Sequence, residues 1–326
     1  MNPSGVQDRH EPGSRTVDAD HDGPTPTVRR LARRQRSDAA APRAQSELSR
    51  GWTRFKRNRL AFASLAFVVV LVVVAAAAPL LAPHSYSEQD LLNGLLPPLS
   101  EGHLLGTDQL GRDVFSRLLY SLRTALIIGF TAELVALVIA LVIGLWAGWL
   151  GGRAESALMS FTDVMYAFPS YLFSVLLVVV MGRSPLSIIL AIGIAGWVTQ
   201  ARLVRAQVLK IKTFEYIEAS RSIGTGGFAI AVRHILPNAA GPLLVTTSFG
   251  IPGAIIAESG LALVGLGVAP PTPSWGGMIV DGYTFVLSHP YLIIAPLVLF
   301  GLTMLAFTWM GDGLRDAFDS SEEDHA

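Results

Sequence analysis

The sequence predicts an all-α membrane protein with six transmembrane helices and both termini in the cytoplasm. Three observations carry this. Hydrophobic residues make up 51% of the 326-residue chain and charged residues only 15%, with a mean hydropathy of +0.46. That balance is typical of a polytopic membrane protein and hard to reconcile with a soluble fold. The apolar residues collect into six runs, each of about 20 residues or more, the length an α-helix needs to cross a bilayer. Of the 25 Lys and Arg residues, only Arg112, Arg117, Arg123 and Arg183 fall on one side of those runs. The positive-inside rule puts the other side, with both chain ends, in the cytoplasm.

Residues 1–45 are polar, rich in Arg, Asp, Pro and Ser, and lack apolar periodicity. They read as a disordered cytoplasmic tail. Residues 46–120 hold a basic collar, the first transmembrane helix and an outer segment. The collar sets Trp52 and Phe55 among Arg50, Arg54, Lys56, Arg57 and Arg59, which suits an anionic membrane surface. The first span is Leu60–Ala82. Ala75 to Ala78 before Pro79 mimic a cleavage site, but the long polar stretch ahead is no signal-peptide n-region, so the helix is expected to be retained. Residues 121–316 form the main transmembrane domain, with a polar loop at about 208–240, and residues 317–326 a second cytoplasmic tail. Its spans are about Leu122–Leu150, Ala157–Met181, Pro185–Val204, Ala240–Val264 and Tyr291–Met310. Pro169 should bend the third, and Gly144, Gly148, Gly151 and Gly152 offer close helix packing at the end of the second.

The polar loop is the most informative stretch. Residues 215–242 read EYIEASRSIGTGGFAIAVRHILPNAAGP. Glu218-Ala219-Ser220, Gly224 and Leu236-Pro237 resemble the EAA loop of ABC importer permeases, E-A-A-x3-G-x9-I-x-L-P. Ser220 stands where that pattern has Ala, and His234 where it has Ile. The outer segment carries LGTDQLGRDVFSR (105–117), and residues 257–276 read AESGLALVGLGVAPPTPSWG. The third span holds a D-x-x-x-A-F-P-like run from Asp163 to Pro169, and Gly311 to Asp316 read GDGLRD. Together these resemble the dipeptide/oligopeptide (peptide/nickel) importer family, C-type permease subunit.

The resemblance implies a type I ABC importer permease fold in a bacterial inner membrane. It implies that Glu218, Ala219, Ser220, Gly224, Leu236 and Pro237 form a helix–glycine–helix element that docks on an ATPase. Partners would be a B-type permease paralogue, one or two kinds of cytoplasmic ABC ATPase subunit and an extracytoplasmic solute-binding protein, with no nucleic acid. This chain would be no enzyme and hold no cofactor, ATP and Mg belonging to the ATPase. Peptide is the expected cargo, with nickel, glutathione or another small solute as the alternative.

Other residues carry less. Thr107 or Asp108 can cap a helix opening near Leu110, with Val114, Leu118 and Leu119 on its apolar face. Asp108, Arg112 and Asp113 are candidates for an outer docking surface; the plainer reading is an interfacial helix that orients the second span. Three acids lie in or near spans: Glu133, Asp163 and Glu258. An Asp at a bilayer centre costs about 2.5–3.5 kcal/mol on insertion scales, so each should face protein or water. Glu258 is the pathway candidate, Asp163 fits a structural role, and Glu133 has no motif around it. No catalytic or metal-binding residue stands out. There is no P-loop, H-E-x-x-H or G-x-S-x-G motif, no cysteine, and no metal-spaced pair among the seven histidines. An ion-coupled secondary transporter would need paired halves with broken helices, and no internal repeat is visible. An integral membrane enzyme would need a constellation that is missing.

Overall fold

In the computed structural model the described residues are 47–318, so the predicted tail at 1–45 and most of 317–326 lie outside them. Helices dominate the described residues, no strand occurs among them, and 82–113 is mostly turn and loop. A short amphipathic helix, α1 (Glu47–Arg57), precedes α2 (Arg59–Leu81). Asn58 caps α2, its side-chain oxygen accepting from the Ala61 N–H at 3.1 Å, as the first-turn donors require. Along α2 the buried residues are Ala61, Ser64, Val68, Leu71, Ala75 and Ala78. Their alternating spacing of three and four makes one packed stripe. Val69, Val70 and Val73 point away and are exposed, as a lipid-facing side should be.

The second span is longer than its apolar run. Helix α3 (Val114–Leu150) has 37 residues, roughly 55 Å at 1.5 Å per residue, against a hydrocarbon core of about 30 Å. No separate helix opens at Leu110. The cap is Asp113, whose Oδ2 accepts from the Ser116 N–H at 2.7 Å, and neither Thr107 nor Asp108 takes that place. The third apolar run is not one gently bent span. Helices α4 (Gly152–Ala167) and α5 (Ser170–Met181) meet at 85° across Phe168-Pro169. Proline removes a ladder donor and presses on the preceding turn. The fourth run divides at Trp197 into α6 (Pro185–Gly196) and α7 (Val198–Ile211), bent by 47°.

Beyond α7 lie α8 (Glu215–Ser222), the single turn α9 (Gly227–Ile230) and a π turn over Ala231–Ile235. Helix α10 (Leu236–Leu263) follows, then α11 (Trp275–Tyr283) and α12 (Tyr291–Phe318). Four helices are long and apolar enough to cross a membrane, and six spans result if each bent pair counts as one.

Helix α3 is the central post. Phe55, Leu71, Leu122, Ile255, Trp275 and Phe307 bring α1, α2, α10, α11 and α12 onto it in one core. A second core, with Ile128, Val178, Ile188 and Leu261, ties α5 and α6 to the first half of α3. Where α3 ends, α7 lies close against it. A Cβ at Gly148 would stand 2.7 Å from the Val208 Cβ and one at Gly144 2.6 Å from the Val204 Cβ, so these two glycines permit the close packing. Gly151 and Gly152 have no neighbour within 4 Å and instead take positive φ at the turn into α4.

Candidate functional site

The predicted coupling residues form a compact hairpin between α7 and α10. Helix α8 closes with a Schellman arrangement. The Gly224 N–H donates to Arg221 O at 2.9 Å and the Thr225 N–H to Ser220 O at 3.1 Å. Gly224 sits at φ +83°, a left-handed conformation that glycine adopts without penalty. On the return, the π turn widens the ladder ahead of Pro237, whose ring would otherwise press on the carbonyl of Arg233.

The hairpin is anchored from one side. Ile217, Ile230 and Ile235 are fully buried against Val204 and Val208 of α7. The Asn238 amide donates to Tyr216 Oη at 3.2 Å and to His234 O at 2.6 Å, which ties α8 to the start of α10. Lys212 Nζ donates to Trp149 O at 2.8 Å, a cation on the last carbonyls of α3. The Arg221 guanidinium lies 4.6 Å over the Trp149 ring. The opposite side is bare. Glu218, Ala219, Gly224, Leu236 and Pro237 are exposed, Ser220 is half-buried, and Ile223 is 83% exposed.

A cavity of about 420 Å³ opens between α3, α5, α6, α7 and α10. Its wall includes Glu133, Ser170, Tyr171, Ser174, Thr199, Gln200 and Thr246. Glu133 is buried, and Gln200 Nε2 donates to its Oε1 at 2.5 Å. Glu258 does not line this cavity. It is 1% exposed, packed near Ser259 and Ser274 under the loop that leads into α11. Asp163 accepts from Arg202 at 2.7 Å, and Glu155 is bonded by Arg205, so two ion pairs clasp α4 to α7.

At the other end of α3 the outer segment is folded on itself. Asp108 Oδ1 accepts from the backbone N–H groups of Leu110 and Arg112 at 2.9 and 3.0 Å, and its Oδ2 accepts from Arg112 Nε at 2.7 Å. Arg112 also reaches Asp281 at 3.8 Å. Burial pushes the Asp281 carboxyl above the usual carboxylate range, against the pull of Arg117 and Arg112. Asp113 Oδ1 pairs with His103 Nδ1 at 2.9 Å. His84 stacks on His103 with ring centroids 4.8 Å apart, its Nε2 bonded to Gly102 O at 2.9 Å.

Residues 140–323, more than half of the chain, match the family described as binding-protein-dependent transport system inner membrane component. The chain belongs to that family. Residues 46–98 match the N-terminal TM domain of oligopeptide transport permease C. The dipeptide transport system permease protein DppC of Bacillus subtilis is 44% identical over 82% of this chain and 84% of its own length. The oligopeptide transport system permease protein OppC of the same organism is 40% identical over 82% and 87%. The glutathione transport system permease protein GsiD of Pectobacterium atrosepticum is 38% identical over 82% and 89%. An inward-facing structure of the MetNI methionine ABC transporter aligns over 62% of this chain and 96% of its own, at 21% identity and a TM-score of 0.49.

This permease is therefore an inner-membrane subunit of an ABC importer, not the enzyme of its system. Membership implies an ATPase, a second permease and a substrate-binding protein beside it. Of the predicted site residues, the structure brings the six loop residues together. It does not offer Asp108, Arg112 and Asp113 as a docking surface. They are 7%, 5% and 2% exposed, and their polar atoms are spent within the segment and on Asp281. Glu258 is likewise sealed away from the cavity. The histidines are less scattered than the sequence implies. His84, His103 and Asp113 each bring a ligand-type atom within 4.8 Å of the others, joined by a fold in the outer segment that no spacing rule reports. Sequence reasoning left Glu133 without a role. The one signal available was an acid well inside an apolar run whose only other charge, Arg123, lies at its start, with Gln200 inside another run.

Proposed function

We propose that this permease forms half of the translocation pathway of an ATP-driven importer of di- and oligopeptides, and that α8 receives the force. The observation that carries this reading is where the hairpin sits in the chain. Helix α8 is bare on one side and is joined to α7 by the three-residue turn 212–214 and, through the Gly224 turn, α9 and the π turn, to α10. Those two helices supply Thr199, Gln200, Thr246 and Gly250 to the cavity wall. A push on α8 thus reaches two walls of the cavity through short links and through the buried contacts of Ile217, Ile230 and Ile235 with α7. Glu218, Ala219, Ser220 and Gly224 would meet a groove on a cytoplasmic ATPase, with Leu236 and Pro237 fixing the angle of return. Closure of two ATPase subunits would rock this chain against a B-type paralogue and alternate access to the cavity. ATP and Mg stay with the ATPase subunits, of one kind or two. The surplus of positive charge on the α8 side supports a cytoplasmic position for it and for both termini.

Peptide cargo is supported by the dipeptide and oligopeptide relatives at 44% and 40% identity. The glutathione relative at 38% favours a second reading in which that peptide-like thiol is carried. The test is reconstitution in liposomes. This chain alone should neither hydrolyse ATP nor take up labelled dipeptide. With the paralogue, the ATPases and the loaded binding protein it should do both, and Glu218→Lys should reduce co-purification of the ATPase. Gradient-driven peptide uptake by this chain alone would sink the proposal, and uptake of glutathione without dipeptide would replace the cargo.

A further inference from the structure

Glu133 lies far from the coupling hairpin's surface and outside every motif, yet it is held with care. It is 5% exposed in the middle of α3 and faces the 420 Å³ cavity. Gly250 makes room for it, because a Cβ there would run into its carboxylate. Gln200 Nε2 donates to Oε1 at 2.5 Å and so fixes the carboxylate on the wall. Gln200 Oε1 is buried and accepts no hydrogen bond among the described residues.

Three hydroxyls of the wall have the same polarity. Ser174 Oγ donates to Ser170 O at 3.0 Å, Thr246 Oγ1 to Pro242 O at 2.7 Å, and Tyr171 Oη to Gly260 O at 2.9 Å. Each hydroxyl has therefore used its single proton on a helix carbonyl and keeps only lone pairs to offer. No Lys, Arg or His lines the cavity. A carboxylate and three spent hydroxyls, with no cation among the lining residues, give the wall a negative charge and an excess of acceptors; the Ser170 and Thr199 hydroxyls remain as neutral donors. The ligand that completes it is a compact cation with several N–H donors. A primary ammonium has three and no acceptor.

We propose that Glu133, oriented by Gln200, is an ammonium-binding subsite of the translocation cavity, and that it takes the free α-amino end of a transported peptide. This rests on the peptide reading above for the identity of the ligand, though not for the ammonium chemistry. The carboxylate would guide the leading or trailing end of the peptide past the midpoint of the pathway, where water cannot fully solvate it.

The test separates the two. The whole complex is held in nanodiscs without the external binding protein, and saturation-transfer NMR compares trialanine with N-acetyltrialanine. Trialanine should give the stronger signal by roughly tenfold or more, as expected for a desolvated charge pair. Glu133→Gln keeps the fit over Gly250 and the bond to Gln200, and should bring the two ligands level. Glu133→Asp should keep the preference. Equal signals in the wild type overturn the proposal. So does a preference that survives in Glu133→Gln, and so does equal weakening of both ligands, which marks a structural role. If the full complex imports no peptide but trialanine still binds through Glu133, the peptide reading fails and the ammonium subsite stands.

Discussion

Replacing Gly224 tests the coupling hairpin most directly. The residue holds φ +83° and closes the Schellman bonds from Gly224 N to Arg221 O and from Thr225 N to Ser220 O. A Cβ placed there meets nothing within 4 Å, so the penalty of a substitution is a backbone one. An L-residue in the left-handed region costs roughly 1–2 kcal/mol, with Asn tolerated best. That corresponds to a factor of about 5–30 in the population of the ordered turn. Valine, stiff at χ1, should cost more. The order expected is therefore Gly, then Asn, then Ala, then Val. Hydrogen exchange of residues 215–225, measured on the permease in nanodiscs without ATPase, should rise in that order. Peptide uptake by the full complex should fall in the same order while insertion stays intact. Wild-type exchange and uptake in the valine variant would refute the reasoning. An asparagine variant as damaged as the valine one would refute it too, because backbone strain would then not be the cause.

Two further substitutions probe the scaffold. Gly148→Leu places a side chain where even a Cβ would lie 2.7 Å from the Val208 Cβ and 3.2 Å from Arg205 O. Overpacking of this kind costs about 1–3 kcal/mol, so the melting temperature in detergent should drop, and an unchanged value would show that α7 can move aside. Asp113→Ala removes the cap on α3 and the partner of His103, a loss of about 0.5–2 kcal/mol from the cap alone. Proteolysis of the outer segment should quicken, with Asp113→Asn intermediate because it keeps an acceptor for the Ser116 N–H; equal resistance in all three proteins would discard the cap assignment.

Read by itself, the sequence located the apolar runs and several of the turns between them, though not the break at Trp197. Apolar run length, the proline at 169, the glycines at 144, 148 and 224 and the spread of Arg and Lys act locally. Each can be read without knowing a neighbour across the fold. The loop motif belongs to the same class, since a helix stop at Gly224 depends on a handful of adjacent residues. Tertiary structure alone decided how the polar groups pair. Glu133 and Gln200 are 67 positions apart, and Arg112 finds Asp281 from the far end of the chain. Asp108, Arg112 and Asp113 look like surface in one dimension and are interior in three. The reason is physical. Transfer into lipid is a property of a segment, whereas the cost of a buried charge is relieved only by a partner. Which partner arrives depends on the register of helices packed around α3.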